Sequence, residues 1–487
     1  MKMNKNKKIA FVFTAVILFA VLVGNLIAFM SCQSEEDITA ETTKTPDTTI
    51  AESEAETTAA AEIEDVYVRP EMYDHEVMGE GIGVNPGRVV WAHNPDSYDW
   101  DGKGFFWNSN NFNYDAIQKM MNDSVTALAG GSDTMESWDM IFKSHNQAKG
   151  IDSGYVKGQK IAIKVNMNGI GDFKGQTNSS FTAPIPVQTL LVSLVIHAGV
   201  DPSDITVFDA SRVIPDYMQE ICGTGVLKGV SFKYNDDGGA NDCIPDTGFP
   251  IVWSENFEGD TCYLPTCLTE ADYLIVFSNL KGHDLAGVTL SAKNHFGTIM
   301  NTSRNNPPQA ANIHGYATAH DYSFGEGWTW EQRPMNTYTV LTDFFANKHI
   351  GEKTVLYLLD AFAVAQTQSV QLTSDMKWRQ EPFNNDWPSS LFISQDPVAL
   401  DSVGVDFIAN EPSMPYYTKI ANGEMTHENY LHEAAQADKA PSGIVYKNGD
   451  GATVGSLGVH EHWNTPDEKL YSRNLGNDYG IELIKIN

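Results

Sequence analysis

Residues 159–209 constrain the fold more tightly than any other stretch of this chain. They read in order as an apolar strand ("QKIAIKVN"), a Gly/Asn-rich loop ("MNGIGDFKGQTNSS"), an apolar helix ("APIPVQTLLVSLVIHAG") and a second strand ("ITVFDAS"). Prolines in the first helical turn and Gly199 after the last turn supply start and stop signals. A strand, a crossover helix and a strand over about 50 residues form a βαβ unit, so the two strands are expected to lie parallel. Further strands are predicted at 87–93 ("GRVVWAH"), 272–278, 353–360 and 391–395, and helices at 113–129, 287–297, 335–346 and 396–410. The alternation predicts an α/β fold, a mostly parallel sheet with helices on both faces.

In open parallel sheets, ligands sit beyond the carboxyl ends of the strands. The residues just past the predicted strands are His93-Asn94, Asn166-x-Asn168, Asp209-Ala210-Ser211-Arg212, Asn279-x-Lys281-x-His283 and Asp360. Nearly all are polar or ionisable. Asp, Asn and Ser are common turn and cap residues, but five such endings together predict one shared pocket.

The stretch "NLKGHDLAGVTLSAKNHFG" (279–297) is the richest of these endings. On a helix over 287–297, Thr289 and Lys293 share a face beside an apolar stripe of Val288, Ala292 and Phe296. A lysine beside such a stripe is either snorkelling or partly buried, and a buried lysine is easier to deprotonate. Lys164, at another strand end, can approach the same place, and clustered lysines attract an anion.

Together "KVNMNG" (164–169), "FDASR" (208–212), the 279–297 stretch and "SQDPVALDSVGVDFI" (394–408) resemble the bacterial and archaeal family known as domain of unknown function 362. The likeness spans about residues 87–475, including "HEHWN" (460–464) and "YSRNLG" (471–476). It makes Lys281, His283, Lys293 and Asn294 signature residues and implies no particular reaction. Some members carry iron–sulfur motifs. The spacing of this chain's cysteines matches none, so no iron–sulfur cluster is expected.

The expected activity is an enzyme acting on a small anionic substrate. Lys293, His283 and Lys164 are the candidate catalytic residues, the first two moving protons. Lys281, Asn166, Asn168, Asp209, Ser211, Arg212, Asn294 and His295 are candidate substrate-binding residues, and Lys164 also serves to hold the anion. A divalent transition metal is a further option. His93, His283, His295, His314 and His320, with Asp209, Asp360 and Asp401, suit zinc, nickel or iron, but no tight ligand spacing selects among them. His460 and His462 read as a packed turn. The alternative is a non-catalytic lipoprotein that binds a solute or glycan, with Trp91, Trp100, Trp107, Trp328 and Trp330 as stacking surfaces. A phosphate-cradling Gly-x-x-x-x-Gly-Lys loop and a Gly-x-Ser-x-Gly nucleophile elbow are both missing from the sequence, which disfavours nucleotide hydrolysis and an α/β-hydrolase triad.

Location is read from the first 65 residues. Four lysines precede an apolar run of roughly 20 residues, long enough to span a bilayer. Such a charged and then apolar start is a targeting segment, and its lysines favour an exported body. Two readings stand. Residues 1–32 end in a lipobox-like Phe29-Met30-Ser31, making Cys32 the lipidated residue, or the segment remains as a signal anchor. Residues 33–65 hold eleven acids, one lysine and few large apolar side chains, a composition expected to form a disordered tether. Residues 66–487 are the expected body. The partners expected are the membrane and a small anion. The formal net charge of -31 argues against nucleic acid, which favours basic surfaces. Outside the cytoplasm, Cys222, Cys243, Cys262 and Cys267 are expected to staple an insertion at about 222–267 with two disulfides.

Overall fold

The computed structural model describes residues 76–170, 176–255, 261–300, 313, 315–317, 334–411 and 427–487, and the backbone of 320–323 and 327–332. Cys32, the acidic tether and His314 lie outside the described residues, as do the side chains of His320, Trp328 and Trp330. Among the described residues, no helix is long and apolar enough to cross a membrane.

The core is one sheet of eight strands. In chain order they are β1 (Arg88–His93), β2 (Ile161–Val165), β3 (Ile205–Asp209), β4 (Ser231–Tyr234), β5 (Tyr273–Asn279), β6 (Thr354–Ala361), β7 (Ser390–Ser394) and β8 (Glu482–Ile486). Across the sheet they stand in the order β8-β1-β7-β6-β5-β2-β3-β4. Only β7 runs against its neighbours β6 and β1; every other pairing is parallel. Strands β2, β5, β6 and β7 are buried at every position, as expected of strands covered on both faces. The α/β reading of the sequence therefore holds.

The order places the site. From β2 the chain crosses to β3 and then β4. It returns on the far side of β2 as β5 and continues away to β6. Crossovers are right-handed, so those leaving β2 and β5 in opposite directions carry their helices to opposite faces. Between the carboxyl ends of β2 and β5 lies the switch point where α/β sheets hold ligands.

The helices follow their local chemistry. α1 (Tyr114–Ala129) starts at Asn113, whose side chain accepts from Ala116 N, and stops at Gly130 with φ 77°. α2 (Thr134–Gln147) and α3 (Pro184–Ile196) both pack on α1, and Trp138 Nε1 of α2 donates to Ser193 Oγ of α3 at 3.0 Å. The expected helix at 287–297 is much shorter. Gly287–Val288 instead pairs antiparallel with Gly282–His283, Leu290 enters at φ 38°, and α4 covers only Leu290–Asn294 before a 3-10 turn at His295–Gly297. Thr289 therefore lies outside the helix, and the stripe of Val288, Ala292 and Phe296 does not form. The helix expected at 335–346 begins only at α5 (Val340–Ala346), where Thr339 caps Leu341 N. α6 (Pro397–Ala409) begins where Asp396 accepts from Ala399 N at 2.9 Å, and α7 (Asn429–Ala435) follows it.

Two further expectations change. Among the described residues, Cys222, Cys243, Cys262 and Cys267 form no disulfide, where two were expected. Within 222–267, residues Ser231–Tyr234 supply the edge strand β4, and Pro245–Pro250 pairs with Tyr263–Pro265. Trp91 and Trp100 are buried core side chains, and Trp91 packs edge-on to Phe407 of α6 with centroids 4.7 Å apart. Trp107 is half-buried and stacked on Tyr217 at 3.8 Å. None of these three tryptophans stands open as a sugar-stacking platform.

Candidate functional site

Beyond β2, the chain is held by a reciprocal pair of hydrogen bonds between Asn166 and Thr182. Asn166 N donates to Thr182 Oγ1 at 2.9 Å, and Thr182 N donates to Asn166 O at 2.8 Å. This fixes Asn166 at the strand end with its amide turned toward β5. At the end of β3, the Asp209 carboxylate collects the loops around it. Oδ1 accepts from Ser211 N (2.8 Å), Ser211 Oγ (2.7 Å) and Arg212 N (3.1 Å), and Oδ2 accepts from Met167 N (3.0 Å).

Lys164 points from β2 into this layer and is wholly buried. Its Nζ donates to Val165 O (2.6 Å), Asn294 Oδ1 (2.9 Å) and Asp209 Oδ2 (3.1 Å). Burial pulls its pKa below the ordinary lysine value despite the Asp209 carboxylate. Asn294 is oriented without ambiguity: Oδ1 also accepts from Asn166 Nδ2 at 3.2 Å, while Nδ2 donates to Ser278 Oγ at 2.9 Å. Gly297 closes this corner. A Cβ there would fall 2.7 Å from Lys164 Nζ and 2.9 Å from Asp209 Oδ1, so only glycine lets that turn approach the ion pair.

Lys281 is a second buried lysine. Its Nζ donates to Ser180 O at 2.7 Å and to Asn166 Oδ1 at 3.4 Å. Burial lowers its pKa to about 7, opposed by the Asp360 charge. Burial lifts the Asp360 carboxyl to about 6, although Ala183 N and Phe362 N both donate to it.

Lys293 differs from both. It is buried yet makes no hydrogen bond with any described residue; its Nζ rests 3.6 Å above the Phe296 ring centroid. Burial, with the Arg212 charge nearby, lowers its pKa to about 7. Its helix is braced from behind by Asp401 of α6, which accepts from Ser291 N (2.9 Å) and Ala292 N (3.1 Å). Those two bonds hold the turn at Leu290, whose positive φ is unusual for a side chain of its size. His283, on the 282–288 hairpin, accepts at Nδ1 from Leu285 N and Ala286 N, both at 3.2 Å. The proton of its neutral ring is thereby placed on Nε2.

Asn166, Asn168, Asp209, Ser211, Arg212, His283, Thr289, Lys293, Asn294, Phe296 and Gly297 surround a cavity of about 90 Å³. Arg212 reaches Asn168 Oδ1 with Nη2 at 3.2 Å, while its buried Nε has no acceptor among the described residues. Eight of the eleven residues proposed from sequence line this cavity. Lys164 and Lys281 lie behind it and fix its wall. His295 is also behind it, buried against Phe344 and Phe345 with its pKa pressed to about 3 by burial. His93 is elsewhere, packed on Trp91 and Phe383 at the end of β1. Sequence reasoning missed Ser278, Thr289, Phe296 and Gly297 as parts of the site. Ser278 interrupts the apolar run "YLIVFSN", and that interruption was the available signal.

Of the residues proposed as metal ligands, His283 and Asp209 line the cavity, His93 stands apart, and His314 and the side chain of His320 lie outside the described residues. Among the described residues, the group of three His, Cys, Asp or Glu side chains near enough to share an ion is Glu428, His460 and His462.

Residues 161–406, half of the chain, match the family described as Domain of unknown function (DUF362). That span contains every residue lining the cavity, while the motifs at 460–464 and 471–476 lie beyond it. No curated protein matches the chain.

Proposed function

We propose that this chain, which belongs to the DUF362 family, is an enzyme that moves a proton on a small anionic substrate bound at the β2/β5 switch point. The observation that carries this reading is Lys293, a buried lysine with no hydrogen-bond partner among the described residues and a pKa near 7. At neutral pH such an amine is partly unprotonated and can act as a base. Arg212, with its unused Nε, is the natural anchor for a carboxylate or phosphate. His283 offers Nε2–H as donor or acid. Lys164 and Lys281 position Asn166, Asp209 and Asn294 instead of touching substrate. The cavity is of a size for a two- to four-carbon acid or a phosphate group.

The N-terminal segment supports a body held at the outer face of a membrane, through lipid on Cys32 or through an uncleaved anchor. Fatty-acid labelling that Cys32→Ser abolishes distinguishes the first from the second.

Calorimetric titration of the purified protein with small carboxylates and inorganic phosphate tests the pocket. Turnover of a bound acid, lost in Lys293→Ala with binding retained, is the expected result. Tight binding with no turnover of any bound compound by the wild-type protein favours the second reading, a solute-binding lipoprotein. No binding of any small anion removes the first reading.

A further inference from the structure

We propose a structural zinc site built from His427, Glu428, His460 and His462, separate from the anion pocket. All four side chains are buried. Ligand atoms of Glu428, His460 and His462 lie within 4.8 Å of one another. Glu428 Oε1 stands 3.4 Å from His462 Nε2 and 3.4 Å from His427 Nε2. A tetrahedral ion with bonds of about 2.1 Å separates its ligand atoms by about 3.4 Å, so these two edges already have the spacing zinc requires.

The outer partners set the ring nitrogens for metal. Ser402 Oγ donates its proton to Val398 O at 2.7 Å, so at 2.8 Å it accepts from His460 Nδ1. His460 Nε2 is left with the lone pair. Asp406 Oδ1 accepts from His462 Nδ1 at 2.8 Å, which turns His462 Nε2 toward Glu428 Oε1. Carboxylate–histidine pairs of this kind orient metal ligands and raise their basicity. Asp406 is itself held by Trp463 N (3.0 Å) and Tyr471 Oη (2.9 Å). Glu428 and Asp406 together supply two negative charges, which a dication balances. Three nitrogen and carboxylate donors are already gathered, and His427, beside Glu428, is the fourth ligand that turns in to close the site, a donor set that favours zinc in a structural role.

The site would join three parts of the chain. His427 and Glu428 lead into α7, His460 and His462 lie in the segment that pairs with Met78–Gly79, and Ser402 and Asp406 belong to α6. It also reaches toward the anion pocket. Gly287 of the His283 hairpin sits so close to His427 that a Cβ there would fall 2.4 Å from His427 Cβ.

Elemental analysis of the full-length protein, purified without chelator, should find about one zinc per chain. Chelation should lower the melting temperature, and cobalt added to the stripped protein should give the intense visible absorption of a tetrahedral site. His462→Gln and Glu428→Gln should each weaken metal affinity at least about tenfold, whereas Lys293→Ala should leave metal content unchanged. His462→Gln can also unfold the chain, so the wild-type cobalt spectrum decides independently. No bound zinc and no tetrahedral cobalt spectrum, in protein with native circular dichroism, overturns the proposal. Metal content that falls with Lys293→Ala would also overturn it, by moving the ion to the anion pocket.

Discussion

Lys164 Nζ donates to Asn294 Oδ1 at 2.9 Å, so the buried cation at the end of β2 sets the position of the helix that presents Lys293. The same ammonium pairs with Asp209 at 3.1 Å. Replacing it leaves a buried carboxylate without its counter-charge, which costs about 3–5 kcal/mol. Lys164→Met is expected to lose that much in urea unfolding. Lys164→Met combined with Asp209→Asn should recover part of the loss, because the stranded charge is then gone.

Turnover should depend on the neutral form of Lys293. With its pKa near 7, kcat/KM is expected to rise with pH and level off above about 7. Residual activity in Lys293→Ala should lack that limb. An unchanged pH profile in the variant would assign the limb to another group.

Stability carries the same titration with a defined sign. Lys293 has a pKa near 7 in the folded chain and an ordinary lysine value when unfolded. Between those two values the unfolded chain holds the extra proton, so the contribution of Lys293 to stability grows as pH rises. Lys293→Met should be more stable than wild type at pH 6, by more than about 1 kcal/mol, with a gap that narrows toward pH 10. Chemical denaturation at four or five pH values measures it.

Arg212 is expected to set affinity and not the rate of the chemical step. Arg212→Ala should weaken binding of a small carboxylate or phosphate at least about tenfold. Calorimetry on the variant checks this, and unaltered affinity would remove Arg212 as the anchor.

Gly297→Ala should damage the site without changing its polar groups. The added methyl would press on both members of the Lys164–Asp209 pair, at a cost of about 1–3 kcal/mol. Loss of both stability and anion binding is the expected outcome. A variant with wild-type stability would show that the turn has room to shift.

The sheet was legible because its central strands are continuous apolar runs and its crossover at 159–209 has strong helix punctuation. The polar strand ends were legible for the same reason, since Asn166, Asp209 and Asn279 stand out directly after buried runs. The division of labour among the lysines was not. Lys164, Lys281 and Lys293 look alike in sequence, and only the fold shows two of them bonded and one resting on an aromatic ring. The helix at 287–297 was overextended because apolar spacing dominated the reading. Gly287 and the pairing of 282–283 with 287–288 override that spacing. His460 and His462 read as a packed turn because their neighbours His427 and Glu428 lie more than thirty positions away.

The pairing of β8 with β1 bears on how the chain reaches this structure. Arg88 and Glu482 are joined by an ion pair across 394 positions. Until β8 is in place, β1 presents "RVVWAH" as an uncapped edge, five of its six residues being buried in the finished sheet. Assembly therefore waits on a contact between distant parts of the chain, the kind of closure that slows folding. Shortening the chain before Glu482 would leave an adhesive strand ready to pair with another copy.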